Sequence, residues 1–314
     1  GTEMPLSLPE GAEVHRVAWT ADGERFALTV AQKDHFGLWV GDTGGALAEM
    51  EGVSVQPLLG GAVRWMPDQQ RLLVLQIPPD RGPAPEAPLV PPGPAVQEGD
   101  GDIARSTYEA RNLLKTAHDD ALFTHFMTSM PVLLDPRKGK RTELGAPAPY
   151  AMVRPSPSGK YLLVETLAGD WSHAVGWWRF ASELEVWDKR GRKVATVASL
   201  PLADEVPIHG VPVGPRQVSW QATAKHTLHW VEALDGGDPV ADVPHRDRLM
   251  RLDAPFDGAA EEVWKAQHRI IGSDWAEDGR TLMITERERM KRWRTTWLLD
   301  VRTGKAREWF NRNE

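Results

Sequence analysis

Cysteine is missing altogether from this 314-residue chain. Its absence removes disulfides, thiolate nucleophiles and cysteine-ligated zinc at once. It leaves the compartment open, since a thiol-free chain is at home in the cytoplasm or the periplasm. Tyrosine is scarce, with 3 residues against 7 Phe and 14 Trp. A sequence that reuses Trp at one structural position would produce that bias. No apolar run approaches the roughly 18–20 residues needed to span a bilayer, so no membrane partner is expected. The first residues, Gly1-Thr2-Glu3-Met4-Pro5, show no basic segment leading into an apolar core, so no signal peptide is expected. The chain starts on Gly1 rather than Met, and a processed or excised fragment is expected. Basic residues are outnumbered, 37 Lys and Arg against 44 Asp and Glu. The net charge of −7 argues against nonspecific binding to nucleic acid or an anionic membrane surface.

Catalytic signatures are missing too. There is no Gly-x-Ser-x-Gly nucleophile elbow, no phosphate loop and no dinucleotide fingerprint. Asp170, Ser172 and His173 hold the three triad residue types, but within four positions of one loop, whereas triads are assembled from separate elements. His118-Asp119-Asp120 with His125 reads as a solvated or capping helix end rather than a metal cluster. No catalytic residue, metal or cofactor is therefore expected in this chain.

What is present is a repeat. In Val17–Val30 an apolar run ends on Trp19, Asp22-Gly23 turns the chain, and a second apolar run returns. Gly accepts positive φ and Asp bonds nearby backbone, so the stretch predicts a β-hairpin. Related hairpins follow at Ala62–Leu75, Arg154–Glu165, Gln217–Glu232 and Gly272–Thr285, with anchors at positions 19, 65, 154, 220 and 275. A basic unit of about 45 residues with four short strands marks a β-propeller blade. The expected fold is all-β, one propeller region over residues 1–314 built of four-stranded antiparallel blades. About five blades are expected, near 14–60, 61–145, 150–200, 215–265 and 270–310.

Extra length falls between the second and third strands of several blades, which should elaborate one face of the propeller, where binding residues concentrate. The largest insertion, 78–122, begins with eight prolines between Pro78 and Pro94 and an acidic, Gly-rich stretch, Gln97–Asp102. A helix is expected from Ser106, with Glu109 three residues on as a capping box, through about Ala121, with strand resuming from Phe123. In the third blade's loop, Gly176-Trp177-Trp178-Arg179-Phe180 sets a guanidinium among large aromatics, a common anchor for carboxylates and peptide carbonyls. Trp178 and Arg179 are the leading substrate-binding candidates. Arg246 is a weaker one, because Arg246-Asp247-Arg248 reads as a solvated face at a strand start.

Several stretches together resemble the propeller region of glutamyl endopeptidases in the prolyl oligopeptidase family of serine peptidases. They include Pro92–Glu98, Thr107-Tyr108-Glu109, Asp119–Phe123, Ser156–Glu165, Glu185-Val186-Trp187-Asp188, Leu200–Asp204 and Val231–Pro239. The resemblance implies a seven- or eight-bladed ring, of which this chain is the middle, and a C-terminal α/β-hydrolase domain of the same polypeptide carrying the Ser-Asp-His triad. It implies a non-catalytic role, gating and helping to bind peptide substrates that are cleaved after glutamate. Arg179-Phe180-Ala181 stands where such proteins show Arg-Phe-Pro, so specificity is expected to differ if this loop touches substrate. The alternative is a stand-alone propeller acting as a protein-interaction module.

Overall fold

Short apolar runs flanked by Asp-Gly-type turns cannot bury both faces alone, and in the computed structural model they do so by stacking sheets. The structure describes residues 5–89 and 113–313. The first sheet holds β1 (Glu13–Trp19), β2 (Arg25–Ala31), β3 (Phe36–Asp42) and β4 (Leu47–Ser54). The second holds β5 (Val63–Trp65), β6 (Leu72–Gln76), β7 (Met130–Asp135) and β8 (Lys140–Glu143). The third is β9 (Tyr150–Pro155), β10 (Tyr161–Leu167), β11 (Ser182–Asp188) and β12 (Lys193–Leu200). The fourth is β13 (Arg216–Trp220), β14 (Thr227–Ala233), β15 (Asp247–Asp253) and β16 (Glu261–Ala266). The fifth is β17 (Arg269–Trp275), β18 (Thr281–Glu288), β19 (Trp293–Asp300) and β20 (Lys305–Asn313). Each is a four-stranded meander in chain order, and all pairings are antiparallel. The all-β, bladed expectation is met.

The cores lie between consecutive sheets. Leu72 and Val74 of β6 share one apolar cluster with Ala27 and Leu38 of the first sheet and Leu162 and Val164 of the third. Leu163 and Val186 meet Leu228 and Trp230 in a second, and Val231 and Leu249 meet Ile270, Leu282 and Ile284 in another. Second strands are therefore covered on both faces, which is why β6 is buried throughout and reads as a continuous apolar run. Outermost strands face water on one side; β8 is exposed along its length and reads Lys-Arg-Thr-Glu.

The turn between first and second strands repeats atom by atom. The residue after each anchor donates across it (Thr20 N to Arg25 O, 2.9 Å; Ser156 N to Tyr161 O, 2.8 Å; Ala276 N to Thr281 O, 2.9 Å). By this register the third anchor is Pro155, one residue beyond the expected Arg154. The fourth turn residue is left-handed in four blades, at Gly23, Gln69, Gly159 and Gly279. Gln69 is the exception to glycine, and its side chain explains the tolerance: Oε1 accepts the Ala21 N–H of the preceding blade at 2.6 Å.

Reused tryptophans latch blade to blade. Trp65 Nε1 donates to Ala18 O at 2.9 Å, and Trp220 Nε1 to Arg154 O at 3.0 Å, each reaching the inner strand of the blade before. The excess of 14 Trp over 3 Tyr thus has a structural origin in part.

Among the described residues the one α-helix, α1 (Ala117–Met127), lies in the second sheet's insertion and extends beyond the expected end near Ala121. Its N-cap is Thr116, whose Oγ1 accepts Asp119 N at 3.1 Å while Asp119 Oδ2 accepts Thr116 N at 3.0 Å. This capping box is a different one from that expected at Ser106 and Glu109, which lie outside the described residues. The helix consequently runs through Phe123, where strand was expected.

Candidate functional site

In a meander blade, the loops joining second to third strands leave on the same face as the crossovers to the next blade. Two such segments from the third blade, 168–181 and 201–215, and the fourth blade's loop 234–246 surround a cavity of about 830 Å³. Its wall mixes aliphatic side chains such as Met152, Leu184 and Leu202 with Arg154, Glu165, Arg179, Arg216 and Asp274. A largely apolar pocket with a few convergent charged groups is the usual form of a binding site.

Trp178 and Arg179 stand together on that wall. They are carried by a single 3-10 turn, Trp177–Arg179, closed by Arg179 N to Gly176 O at 2.9 Å. Gly176 is required by close approach: a Cβ there would lie 2.4 Å from the Trp178 ring. The indole therefore rests on the Gly176 backbone and remains 60% exposed towards the cavity. The flanking aromatics do the opposite. Phe180 stacks on Trp171 with centroids 5.5 Å apart and meets Phe123 of α1 edge-on at 5.6 Å. Trp171 Nε1 also donates to Thr124 Oγ1 at 2.7 Å, and His173 Nε2 lies 2.9 Å from Asp120 Oδ1. On the other side, Ala203 N donates to Arg179 O at 2.9 Å. The loop is thus pinned on both flanks, leaving the exposed Trp178 indole on a rigid mount with the half-buried Arg179 beside it.

Arg246 lies elsewhere. Its guanidinium reaches Asp235 Oδ2 at 2.8 Å, Asp238 O at 3.2 Å and Ala241 O at 2.9 Å, clamping the loop that follows β14. Asp235 is also held by Arg269 at 2.6 Å, and Arg269 reaches Asp247 at 2.7 Å, which in turn accepts Arg216 at 2.7 Å. The Asp235 and Asp247 side chains are fully buried. Of the solvated face expected of Arg246-Asp247-Arg248, Arg246 and Asp247 instead belong to a buried network across four segments, while Arg248 stays partly exposed beside Glu232 and Glu262. Burial alone would raise the Asp235 carboxyl, but the Arg269 fork, the Gly237 N–H and Arg246 outweigh it and hold it below the usual range.

Two polar groups at the cavity carry no sequence motif. Glu165, at the middle of β10, accepts Ser182 Oγ at 3.2 Å; burial pushes its carboxyl up, opposed by that bond and by Arg154. Ser219 Oγ lies 3.1 Å from His229 Nε2, and burial lowers the imidazole pKa to about 4. Only alternation within the first and second strands could have pointed to them, and it does not distinguish cavity wall from core.

No family model matches the sequence. The chain is 33% identical over 305 residues, 93% of its length, to "Probable glutamyl endopeptidase, chloroplastic" of Arabidopsis thaliana, and covers 31% of that protein. It is 31% identical over 304 residues to the protein of the same name from Oryza sativa subsp. japonica, covering 32% of it. The chain thus spans about a third of the length of the curated relatives it matches. Among solved structures, the Pyrococcus horikoshii acylaminoacyl peptidase matches with a TM-score of 0.51 over 95% of this chain and 39% of that one, at 11% identity, a likeness of fold alone. The chain is a five-bladed β-propeller segment, similar over nearly its whole length to part of proteins named as glutamyl endopeptidases.

Proposed function

We propose that this chain is the non-catalytic propeller segment of a serine endopeptidase resembling glutamyl endopeptidases, and that it gates and helps to bind peptide substrate. The observation that carries this reading is that Trp178 and Arg179 stand side by side on the wall of the largely apolar cavity. An indole offers a flat apolar surface for a side chain or peptide plane, and a guanidinium offers a fork that matches a carboxylate or peptide carbonyl. Arg246 acts at one remove, setting the loop that borders the cavity.

Two features support an incomplete propeller rather than a stand-alone module. The relatives extend well beyond the matched region, which fits an α/β-hydrolase domain carrying the Ser-Asp-His triad in the same polypeptide. Trp19 occupies the position from which Trp65 and Trp220 donate to the preceding blade, yet its indole is 54% exposed, with Val14 and Val17 exposed beside it. A further blade of the same protein, as in a seven- or eight-bladed ring, would cover them.

The test is Arg179→Ala in the full-length protein, with Trp178→Ala beside it. Cleavage of a glutamate-containing peptide should fall about tenfold or more, the loss expected for one charge-assisted hydrogen bond, while circular dichroism and the unfolding midpoint stay unchanged. Steady-state kinetics equal to wild type for both variants would reject the assignment.

A further inference from the structure

A second cavity, of about 700 Å³, lies at the opposite end of the inner strands, among the turns that join first to second strands. It is lined by the inner strands of four successive blades and shares Arg154 and Ser219 with the first cavity. Its charged side chains are Arg16 on β1, Arg64 on β5 and Arg154 on β9. None of the three makes an ion pair with a carboxylate among the described residues. Arg64 is half-buried, and its Nε has neither solvent nor a hydrogen-bond partner. Its guanidinium is folded against Gly61, where a Cβ would lie 2.5 Å from Nη2. Burial, then Arg154, then Arg16 lower its affinity for its own proton, so Arg64 sits close enough to each of the other two cations to be repelled by both.

Arg154 has Glu165 as a partial counter-charge, but half-buried Arg64, facing two neighbouring cations, has no carboxylate within ion-pair distance among the described residues, and such convergence costs stability. A bound anion would reverse the sign of that interaction. The rest of the wall indicates what kind. Trp19, Trp65 and Trp220 contribute indoles, with Pro67, Pro155 and Pro157 beside them, and the volume is in the range of pockets that enclose small organic ligands.

We propose that Arg16, Arg64 and Arg154 form a second binding site, sharing Arg154 with the wall of the Trp178–Arg179 cavity, for a small organic anion carrying two or more carboxylate or phosphate groups. The guanidinium forks would each take one oxyanion group in bidentate fashion. The ligand would join the inner strands of the first three blades through groups that otherwise repel.

The test is thermal unfolding of the chain with citrate, a sugar bisphosphate, inorganic phosphate or sodium chloride at matched ionic strength. Citrate or the bisphosphate should raise the unfolding midpoint in a saturable manner, and whichever does so identifies the acidic group. Arg64→Gln and Arg154→Gln should each weaken that ligand about tenfold or more, whereas Arg192→Gln, in the exposed pair with Asp188, should leave it unchanged. Without ligand, Arg64→Gln should melt no lower than wild type, because it removes a repelled cation. An equal response in both cavity variants, or an equal shift from chloride, overturns the site. Inorganic phosphate acting as strongly as the organic anions overturns the assignment of the indole and proline walls. Should Arg64→Gln fail to fold, an unaltered ligand response in Arg154→Gln decides against the proposal by itself.

Discussion

Acidification should weaken this fold through one identifiable side chain. His229 is 6% exposed in the middle of β14, with its ring edge-on to Trp275 at 5.7 Å and Nε2 near Ser219 Oγ. Its Nδ1 has no hydrogen-bond partner, so a proton placed there would have nothing to receive it. Burial lowers the imidazole pKa from 6.5 to about 4. The unfolded chain therefore takes up a proton near pH 6.5 while the folded one resists until about pH 4. Stability is complete above the unfolded value and falls as pH drops through this window. At about 1.4 kcal/mol for each pH unit, the loss comes to roughly 3 kcal/mol between pH 7.5 and 4. The assay is urea unfolding followed by tryptophan fluorescence at several pH values, for wild type and His229→Gln. The variant's own packing cost is the same at every pH, so the difference between the two curves should shrink by roughly 3 kcal/mol towards pH 4. Parallel curves would refute the argument, showing that His229 can be protonated in the folded state without cost.

Other perturbations follow from the same structure. Asp235→Asn leaves Arg246 and Arg269 without their shared buried carboxylate and should cost about 3–5 kcal/mol in chemical unfolding. Gly191 has φ +79° and a Cβ there would lie 1.7 Å from Leu144 O, whereas Gly304 has φ +66° and open space. Gly191→Ala should therefore cost about 2–4 kcal/mol, against about 1–2 kcal/mol for Gly304→Ala; equal unfolding midpoints would contradict the steric reading.

The blades were legible because their determinants are local. Thr20-Ala21-Asp22-Gly23 and its counterparts specify a turn within four residues, and the runs around Leu28, Leu73, Leu163 and Leu228 declare strands buried on both faces. The helix was only half legible: a Ser/Thr followed three residues later by an acid occurs at both 106 and 116, and nothing local ranks them. Trp178 and Arg179 could be singled out as candidates because their motif is contiguous. Arg246 was misread because its partners, Asp235 and the Arg269 that shares it, are brought back by a loop and by the next blade. The tryptophan latches escaped for the same reason, since the accepting carbonyl belongs to the previous blade. The three channel arginines lie on three strands far apart in sequence, and only the common axis of the propeller assembles them.

The proposed function divides labour between this segment and the rest of a longer polypeptide. The direct measurement is hydrolysis of a glutamate-containing peptide by the purified 314-residue chain, beside the full-length protein. We expect turnover by the full-length protein and none by the chain alone, through repeated purification. Persistent hydrolysis by the isolated chain at a comparable rate would contradict the claim that it is a non-catalytic propeller segment.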